Sequence, residues 1–417
     1  MQQPLFYIFF GRETMQLRQR IKTAPLELPL LLILMAIGYL LIHDLAGGTL
    51  FSHDPHDSYT LQAQAWLDGK AYLENGADYT WLELAIYNGQ YFVSFPPVPS
   101  VVMLPFVLLF GGDTPNNLLV AVYAMVAVCG AYRACRSQGL SSRQSCFWAF
   151  AAVMCSNMLE ISTNGGVWLQ AQTLNMAFLC WAIDYALRGR RTAAFLLTAL
   201  AVGCRPFSLF YFPLFIVYFL YCDKSIKKTL KSLLIPCLVA LAIGAAYGWY
   251  NYIRFGNPLE FGHNYLPEFL EAENGQFHLS YLGNNLSNIF LRGITLAEDG
   301  SLVFPQFDGF LFYVVNPFFL IAAIQLAKDI WRRRVTPPMW AALACLAANL
   351  LCLCLHKTFG GYQFGARYTV DLLPYAFFGL LLSGRKRPHR WECFAAAFGL
   401  LFNAYGTLLM RLYDYLP

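Results

Sequence analysis

Charged side chains are scarce in this sequence. Aspartate, glutamate, lysine and arginine make up 13% of the 417 residues, whereas hydrophobic residues make up 58% and aromatic residues 17%. Apolar blocks recur along nearly the whole chain, which is far more apolar sequence than one water-soluble core could bury. This composition excludes a soluble globular protein. The net charge of +5 comes from lysines and arginines in short loops between the apolar blocks, so it does not indicate nucleic-acid binding.

Cysteine is absent from the polar parts of the chain. All twelve cysteines lie at or beyond Cys129, within or at the ends of apolar blocks. No disulfide framework follows, and the pair Cys352 and Cys354 lacks the spacing of metal ligands. The sequence also lacks a clear internal repeat. No small-residue cleavage site follows the first apolar run, residues 28–45, which we therefore interpret as a retained membrane span.

The apolar blocks have the length of membrane-spanning helices. A hydrocarbon core of about 30 Å is crossed by a helix of roughly 20 residues. We predict an all-α polytopic membrane protein, one integral-membrane domain over residues 1–417, with about eleven transmembrane helices in a range of roughly 10 to 13. The predicted spans are 28–45, 116–132, 145–159, 168–187, 192–204, 207–222, 231–252, 309–331, 338–356, 369–384 and 393–412.

The apolar stretch from Pro99 to Phe110 is too short to cross the bilayer, and we predict a re-entrant or interfacial segment. With this stretch left out of the spans and the N-terminus in the cytoplasm, 22 of the 29 lysines and arginines lie in cytoplasmic segments. Counting it as a span would move most of them outside. The charge pattern therefore predicts a multi-pass cell-membrane protein with a cytoplasmic N-terminus and an extracytoplasmic C-terminus. Two long loops then face outward, the first at 46–115 and the second at 253–308.

The first loop opens with the acidic stretch HDPHD. Asp54, followed by Pro55 and by Asp57 three positions on, has the form of a helix start, with an N-cap, a proline at the first helical position and an acid in the first turn. Either aspartate is also placed to act as a general base at the membrane surface. A metal site with His53 and His56 is a third interpretation, although their spacing suits it only loosely.

Few basic residues remain on the outer side. They are Lys70, Arg205, Arg254, Arg292, Lys357, Arg367 and Arg411. Arg367 follows the glycine-rich aromatic segment FGGYQFGA, in which Gly360, Gly361 and Gly365 allow close approach of the backbone to a ligand, and its guanidinium group suits a phosphate. We expect Arg411 to extend to the lipid head groups instead.

Several stretches resemble one known superfamily. They are YTLQAQAWLDGKAYL and AIYNGQYFVSFPPVPSVVMLPFVLLFG in the first loop, and later RFGNPLEFGHNY and FGARYTVDLLP. Over about residues 28 to 415 the chain resembles the GT-C integral-membrane glycosyltransferases, with bacterial homologues of the protein mannosyltransferases and the aminoarabinose lipid A transferases nearest in pattern. The resemblance implies a GT-C-like fold with juxtamembrane helices in the first loop. It also implies inverting transfer of a sugar from a polyprenyl-phosphate-linked donor to a glycan, lipid or protein acceptor.

The resemblance also implies roles for individual residues. An early carboxylate of the first loop acts as base, and we prefer Asp57 because Asp54 makes the better N-cap; Glu83 is held in reserve. The substrate-binding residues that we predict are Arg367, Arg254, Lys357, Arg205, Tyr59, Glu83, His263 and Tyr362. The second loop would cover the site or recognise the acceptor. No metal or cofactor is implied, although a divalent cation is compatible with the pattern.

Two other functions use similar features. A transporter or flippase of lipid-linked sugars would also need outward-facing arginines, but such proteins often contain internal repeats and charged groups near mid-membrane. A polymerase or ligase of lipid-linked polysaccharide would use an outer arginine pair without an early aspartate. The acids of the first loop favour the transferase.

Overall fold

The computed structural model describes residues 25–412, and its elements follow the predicted apolar blocks. The first part contains α1 (Glu27–Leu45), α2 (Ser58–Leu67), β1 (Leu84–Tyr87), β2 (Gln90–Val93), α3 (Val98–Phe110) and α4 (Asn116–Ser137). The middle part contains α5 (Ser142–Val153), α6 (Met158–Ile161), α7 (Val167–Leu187), α8 (Arg191–Val202), α9 (Tyr211–Asp223) and α10 (Ile226–Phe255). The last part contains α11 (Pro267–Leu270), α12 (Ser280–Leu291), β3 (Thr295–Leu296), β4 (Leu302–Val303), α13 (Phe312–Val315), α14 (Phe318–Trp331), α15 (Pro337–Cys354), α16 (Leu373–Leu382) and α17 (Arg390–Leu412).

The prediction of an all-α polytopic membrane protein is confirmed. Within residues 25–412, six helical segments are long and apolar enough to cross a membrane. These are α1, α4, α10, α15, α17 and the segment Pro206–Asp223, in which a 3₁₀ turn leads into α9. The predicted span 168–187 coincides with α7, which has 21 residues but is not among these six apolar segments, and the others coincide with helices that are shorter or broken. The number of eleven crossings therefore stays a prediction.

Several predicted spans break near one end, and three of these breaks meet. The backbone N–H of Asn157, between α5 and α6, donates to Asn316 Oδ1 at 2.8 Å, between α13 and α14. Asn157 Oδ1 accepts from Ala366 N–H at 3.2 Å, and Asn316 Nδ2 donates to Thr369 Oγ1 at 3.2 Å, both in the stretch leading into α16. Asparagine side chains thus satisfy backbone groups that the broken helices leave free, which permits irregular backbone inside a membrane protein.

The first loop folds as a compact unit against the helices. Its helix α2 packs on α3, which has 13 residues and a length of only about 20 Å, less than the roughly 30 Å of a hydrocarbon core. That this segment does not span stays a prediction. Strands β1 and β2 form an antiparallel hairpin whose turn is Asn88-Gly89, with φ angles of 50° and 75°. Our sequence analysis missed this hairpin, although an Asn-Gly pair is a strong signal for a two-residue turn.

The second loop is tied to the segment between α15 and α16. Lys357 N–H donates to Gln276 O at 2.9 Å, and Gln363 N–H donates to Gln306 O at 2.8 Å. These backbone hydrogen bonds hold the second loop across the broken helix ends. The space enclosed between the two loops and the broken ends contains the candidate active site.

Candidate active site

A cavity of about 800 Å³ lies where the two loops and the broken helix ends meet. Its wall carries the charged or ionisable residues Arg205, Arg367, Arg411, Glu83, Glu160, Glu268, Asp371, His56, His263 and His356. Its aromatic residues include Tyr59, Trp81, Phe95, Trp168, Phe207, Phe261, Phe277, Tyr362 and Tyr368. The volume lies within the range of about 300–1,000 Å³ that is typical of small-molecule sites. Arginines beside aromatic rings suit a ligand that joins an anionic group to a sugar.

Asp57 is the N-cap of α2, and its carboxylate is buried with 1% exposure. One oxygen accepts from Tyr59 N–H at 2.9 Å, and the other accepts from Thr60 Oγ1 at 2.6 Å and from Asn116 Nδ2 at 2.9 Å. Burial raises the pKa of Asp57, and the hydrogen bonds from Thr60 and Asn116 oppose this effect. Asp57 is not among the residues that line the cavity. The arrangement is that of a structural cap.

The N-cap prediction for Asp54 is therefore wrong. Residues 54–57 form a turn that precedes the helix, closed by Asp57 N–H donating to Asp54 O at 3.2 Å. Pro55 occupies the second position of this turn, where its fixed φ angle is favourable, instead of the first position of the helix. The helix begins only at Ser58.

Asp54 is linked to the cavity through His56. Its Oδ1 accepts from His56 N–H at 2.9 Å and lies 3.3 Å from His56 Nδ1, and the His56 ring lines the cavity. Burial would raise the pKa of Asp54, but the hydrogen bonds from His56 and the charges of His56 and Arg411 lower it below its ordinary value. The hydrogen bond to Asp54 in turn raises the pKa of His56. The pair thus combines an ionised carboxylate with an imidazole that faces the cavity.

Glu83, at the start of the hairpin, is a first-loop carboxylate in the cavity wall itself. Its Oε2 accepts from Trp168 Nε1 at 2.9 Å. Desolvation by the surrounding protein raises the pKa of Glu83, although the hydrogen bond from Trp168 lowers it. A carboxyl group of this kind is better suited to hydrogen-bond a sugar hydroxyl than to act as a permanently ionised base.

Arg367 points into the cavity with part of its guanidinium group unused. Its side chain is 6% exposed, its Nε donates to Gly360 O at 2.8 Å, and its Nη1 has no hydrogen-bond partner within residues 25–412. Gly360 has a φ of +103°, and a Cβ there would lie 3.0 Å from Arg367 Nε. The same Cβ would lie 2.9 Å from Gln363 Nε2, so this glycine leaves room for the side chains of both Arg367 and Gln363. From the sequence, Gly360 was expected to allow close approach of a ligand.

Arg205 also lines the cavity, but it is already paired. Its Nε donates to Asp371 Oδ2 at 2.8 Å, and its guanidinium carbon lies 4.8 Å from the ring centroid of Tyr368. An internal carboxylate thus neutralises much of its charge. A ligand in the cavity would therefore meet Arg205 as part of an ion pair with Asp371 and not as a free cation.

Two predicted cations lie outside the cavity wall. Arg254 is 4% exposed, and its Nη1 donates to Val93 O at 2.8 Å, which fastens α10 to the hairpin. The Lys357 ammonium donates to Glu268 O at 2.7 Å, which fastens the second loop. Arg254 and Lys357 therefore hold the walls of the cavity in place, and neither lies where it would contact a phosphate inside the cavity.

The remaining predicted binding residues line the cavity. Tyr59 is fully buried at the base of the first loop, and Tyr362 is partly exposed on the opposite wall. His263 Nδ1 lies 2.9 Å from Ser94 O, and burial lowers the pKa of this histidine to about 4. His263 is therefore neutral near pH 7 and can offer a hydrogen bond but no charge.

Several wall residues were not identified as site residues from the sequence, among them Arg411 and Glu160. Arg411 does not extend to lipid as expected, because its Nε and Nη1 lie 3.3 Å and 3.2 Å from the hydroxyls of Thr163 and Thr49. Glu160, on α6, is 8% exposed and lines the same cavity. An arginine near the end of the last span and an acid at a span end carry no local sequence signal of burial. Only the packing of α17 against α6 brings them together.

The histidines of the acidic stretch do not form a metal centre with their neighbours. His53 Nδ1 lies 3.0 Å from Thr114 O. Within residues 25–412, no group of three or more histidine, cysteine, aspartate or glutamate side chains is arranged to hold a metal ion.

The fold is similar to that of solved membrane glycosyltransferases. The Archaeoglobus fulgidus oligosaccharyltransferase in its apo form matches 93% of this chain with a TM-score of 0.53 and 13% identity, and ArnT from Cupriavidus metallidurans matches 86% with a TM-score of 0.50 and 14% identity. Oligosaccharyltransferase AglB from Archaeoglobus fulgidus, in complex with an inhibitory peptide and a dolichol-phosphate, matches 93% with a TM-score of 0.51 and 14% identity. The alignments span only 56 to 60% of those longer chains. No family model and no curated protein matches by sequence.

Proposed function

We propose that this chain, which has the fold of the GT-C glycosyltransferases, transfers a sugar from a polyprenyl-phosphate-linked donor to an acceptor at the outer face of the cell membrane. One observation carries the proposal: Arg367, whose Nη1 has no partner within residues 25–412, lines the same cavity as His56, and His56 is hydrogen-bonded to the carboxylate of Asp54. Such a donor needs an anion site, a proton acceptor nearby and an apolar route for its tail. The concentration of 22 of the 29 basic residues at the opposite ends of the predicted spans supports an outer location of this cavity.

Arg367 is the proposed binding residue for the donor phosphate. During transfer the bond between the anomeric carbon and the phosphate oxygen breaks, and negative charge grows on the phosphate. A guanidinium group fixed by Gly360 stabilises this charge more strongly in the transition state than in the ground state, because it needs no reorganisation. Arg205, neutralised by Asp371, contributes less.

The Asp54–His56 pair, and not Asp57, is the proposed base. The carboxylate of Asp54 holds the proton on His56 Nδ1, so that Nε2 is free to accept one. The acceptor oxygen attacks the anomeric carbon from the side opposite the phosphate and gives its proton to His56. The electron pair of the broken bond leaves with the phosphate, and the configuration at the anomeric carbon is inverted.

The walls between these two groups suit a sugar. Trp168 holds Glu83 in position, and together they present an aromatic surface beside a carboxyl group that can hydrogen-bond hydroxyls. The second loop, with His263 and Glu268 in the wall, is the proposed cover of the acceptor side. The acceptor is a glycan, lipid or protein that reaches the cavity from the outer leaflet or from outside the cell.

The proposal is tested on the purified full chain and on membranes that contain it. Mass spectrometry of lipids that co-purify should detect a polyprenyl-phosphate-linked sugar with the parent protein and much less of it with Arg367→Lys, since lysine lacks the planar fork. Membranes loaded with labelled donor should then form a new glycosidic bond on an acceptor. Movement of intact donor across the membrane without a new bond would instead identify a transporter of lipid-linked sugars.

A further inference from the structure

Glu160 is a buried carboxyl group for which the proposed reaction has no use. It lies on α6, is 8% exposed and lines the cavity. Its Oε2 has no hydrogen-bond partner within residues 25–412. A buried polar atom without a partner costs free energy in the empty protein, so the position is expected to serve a ligand or a proton.

The elements packed against α6 surround this carboxyl group with positive charge. From α17 comes Arg411, and from the 3₁₀ turn Arg367–Leu372 comes Arg367; both line the same cavity. Arg411 Nη2 and Arg367 Nη1 have no hydrogen-bond partners in the described part of the chain. Glu160, Arg367 and Arg411 therefore each bring a polar atom without a partner to the wall of one cavity, and so does Asp371, whose Oδ1 has no partner in the same part of the chain.

The other charged groups of these elements are engaged elsewhere. Asp371, on the same 3₁₀ turn, is bound to Arg205 at 2.8 Å. The third element packed against α6 is α7, whose acidic residue Asp184 is paired with Arg188 near the far end of the helix. Glu160 thus balances Arg367 together with Glu83 of the first loop, and it shares the balance of Arg411 with Asp54.

Burial raises the pKa of Glu160 to about 7, while the charges of Arg367 and Arg411 lower it. Without a bound donor, the carboxyl group is therefore near its point of half ionisation at neutral pH. A further negative charge placed at either arginine would disfavour the ionised carboxylate and raise this pKa again.

We propose that Glu160 is a resident counter-ion of Arg367 and Arg411 that takes up a proton from solvent when the phosphate of the donor binds. The inference rests on the proposed function, because it takes the donor phosphate to lie at Arg367. Before binding, the carboxylate balances the two guanidinium groups. On binding, the phosphate takes over this role, and the protonated carboxyl group becomes a hydrogen-bond donor instead of a repelling charge.

Binding of the donor and protonation of Glu160 are expected to favour each other. Because the bound form has the higher Glu160 pKa, the complex binds more protons than the free protein between the two pKa values. Donor affinity must then fall as the pH rises through this interval, by up to about tenfold per pH unit for one proton taken up. Below the pKa of the free protein, affinity should not depend on the protonation of Glu160.

The test uses the methyl ester of farnesyl phosphate and the full chain in detergent. This probe is a phosphodiester that carries one negative charge and does not titrate between about pH 6 and pH 9, so any proton that moves belongs to the protein or the buffer. Calorimetry at pH 8 in Tris and in HEPES, whose ionisation enthalpies differ, measures the protons taken up per probe bound. The parent should take up between half a proton and one proton, and its affinity should fall by about tenfold from pH 7 to pH 8.5.

Two substitutions at Glu160 distinguish the effect of its ionisable group from the effect of its side-chain size. Glu160→Gln keeps the size of the side chain, and we expect no proton uptake, no pH dependence and tighter binding at pH 8 than in the parent. Glu160→Asp keeps an ionisable group and should keep proton uptake. Glu268→Gln, which removes another carboxyl group from the cavity wall, is the matched control and should take up protons as the parent does.

The outcomes distinguish this inference from the proposed function. If the probe does not bind the parent, or binds Arg367→Gln equally well, the donor site of the proposed function is wrong. If binding requires Arg367 but proceeds without proton uptake, or if Glu160→Gln takes up protons as the parent does, the proposed function stands and the role of Glu160 is wrong.

Discussion

The side-chain amide of Asn116 and the carboxylate of Asp57 form a buried hydrogen bond of 2.9 Å. The other end of the same amide accepts the backbone N–H of Asp54 at 2.8 Å. Asn116 is the first residue of α4, so one side chain fixes the acidic turn of the first loop to a membrane helix. The two aspartates therefore have different roles. Asp57 stabilises the turn, and the carboxylate of Asp54 is available to His56.

The first prediction concerns this division. Asp54→Asn keeps an oxygen that can accept the hydrogen bonds of His56 but removes the charge that supports an imidazolium. We expect donor binding to persist and transfer to fall by about 10²- to 10⁴-fold, the usual contribution of a general base. Donor binding and sugar transfer measured in the same membranes check this expectation.

The control for the first prediction is Asp57→Asn. Asparagine caps a helix about as well as aspartate, but its amide nitrogen would face Asn116 Nδ2. We expect transfer to survive and the free energy of unfolding to fall by about 1–3 kcal/mol, the cost of an unsatisfied buried donor. The two roles would be reversed if Asp57→Asn lost sugar transfer while keeping the parent's free energy of unfolding, and Asp54→Asn kept sugar transfer.

The second prediction uses two adjacent glycines. A Cβ at Gly360 would lie 3.0 Å from Arg367 Nε, whereas a Cβ at Gly361 would meet nothing within 4 Å. Both glycines have positive φ, so Gly360→Ala and Gly361→Ala each introduce backbone strain, of about 1 to 2 kcal/mol. We expect only Gly360→Ala to weaken donor binding strongly, because it displaces the guanidinium group. Equal affinities of the two variants would argue against Arg367 as the phosphate ligand.

The third prediction is a pH dependence. The hydrogen bond that His56 donates to Asp54 raises the pKa of His56 above its ordinary value of 6.5. The base must be neutral to accept a proton, so kcat at saturating donor should rise with pH through the raised pKa of His56. In Asp54→Asn the negative charge that stabilises the imidazolium of His56 is lost, so the pKa of His56 should fall. The rise of the remaining kcat with pH should then occur at lower pH.

His263→Gln is the matched control for the pH profile. Burial lowers the pKa of His263 to about 4, so this ring stays neutral over the range measured and its loss should not move the limb. If the limb of the parent lies in the acid range of an ordinary carboxyl group and survives in His56→Gln, then Asp54 takes the proton directly.

The sequence was sufficient for the fold class because hydropathy and charge act locally. Each apolar block produces a helix, and the short block before Gly111 produces the 13-residue helix α3. The hairpin was also predictable, since Asn88 and Gly89 carry its turn. The ends of helices were harder to predict from the sequence. Proline is favourable both in a β-turn and at the first position of a helix, so Pro55 fits either structure. Only the contact with Asn116 favours the β-turn over residues 54–57.

The candidate site was predicted less completely, since it depends on contacts between distant parts of the chain. Arg254 and Arg367 look alike in sequence, each at an outer span end beside aromatic residues. Arg254 donates to Val93 O and lies outside the cavity wall, whereas Arg367 lines the cavity. The burial of Arg411 depends on Thr49 and Thr163, which are far away in the sequence. Residue type and span position cannot distinguish these cases.

The last prediction tests the orientation on which the outer location of the cavity depends. In a cysteine-free version of the chain, single cysteines at Gln90 in the hairpin turn and at Asn274 in the second loop should react with an impermeant maleimide in intact cells, because both positions are exposed and predicted to lie outside. A cysteine at Arg334, exposed in a predicted cytoplasmic loop, should react only after the cells are opened. Labelling at Arg334 in intact cells, with none at the other two positions, would place the cavity on the cytoplasmic side and exclude transfer at the outer face.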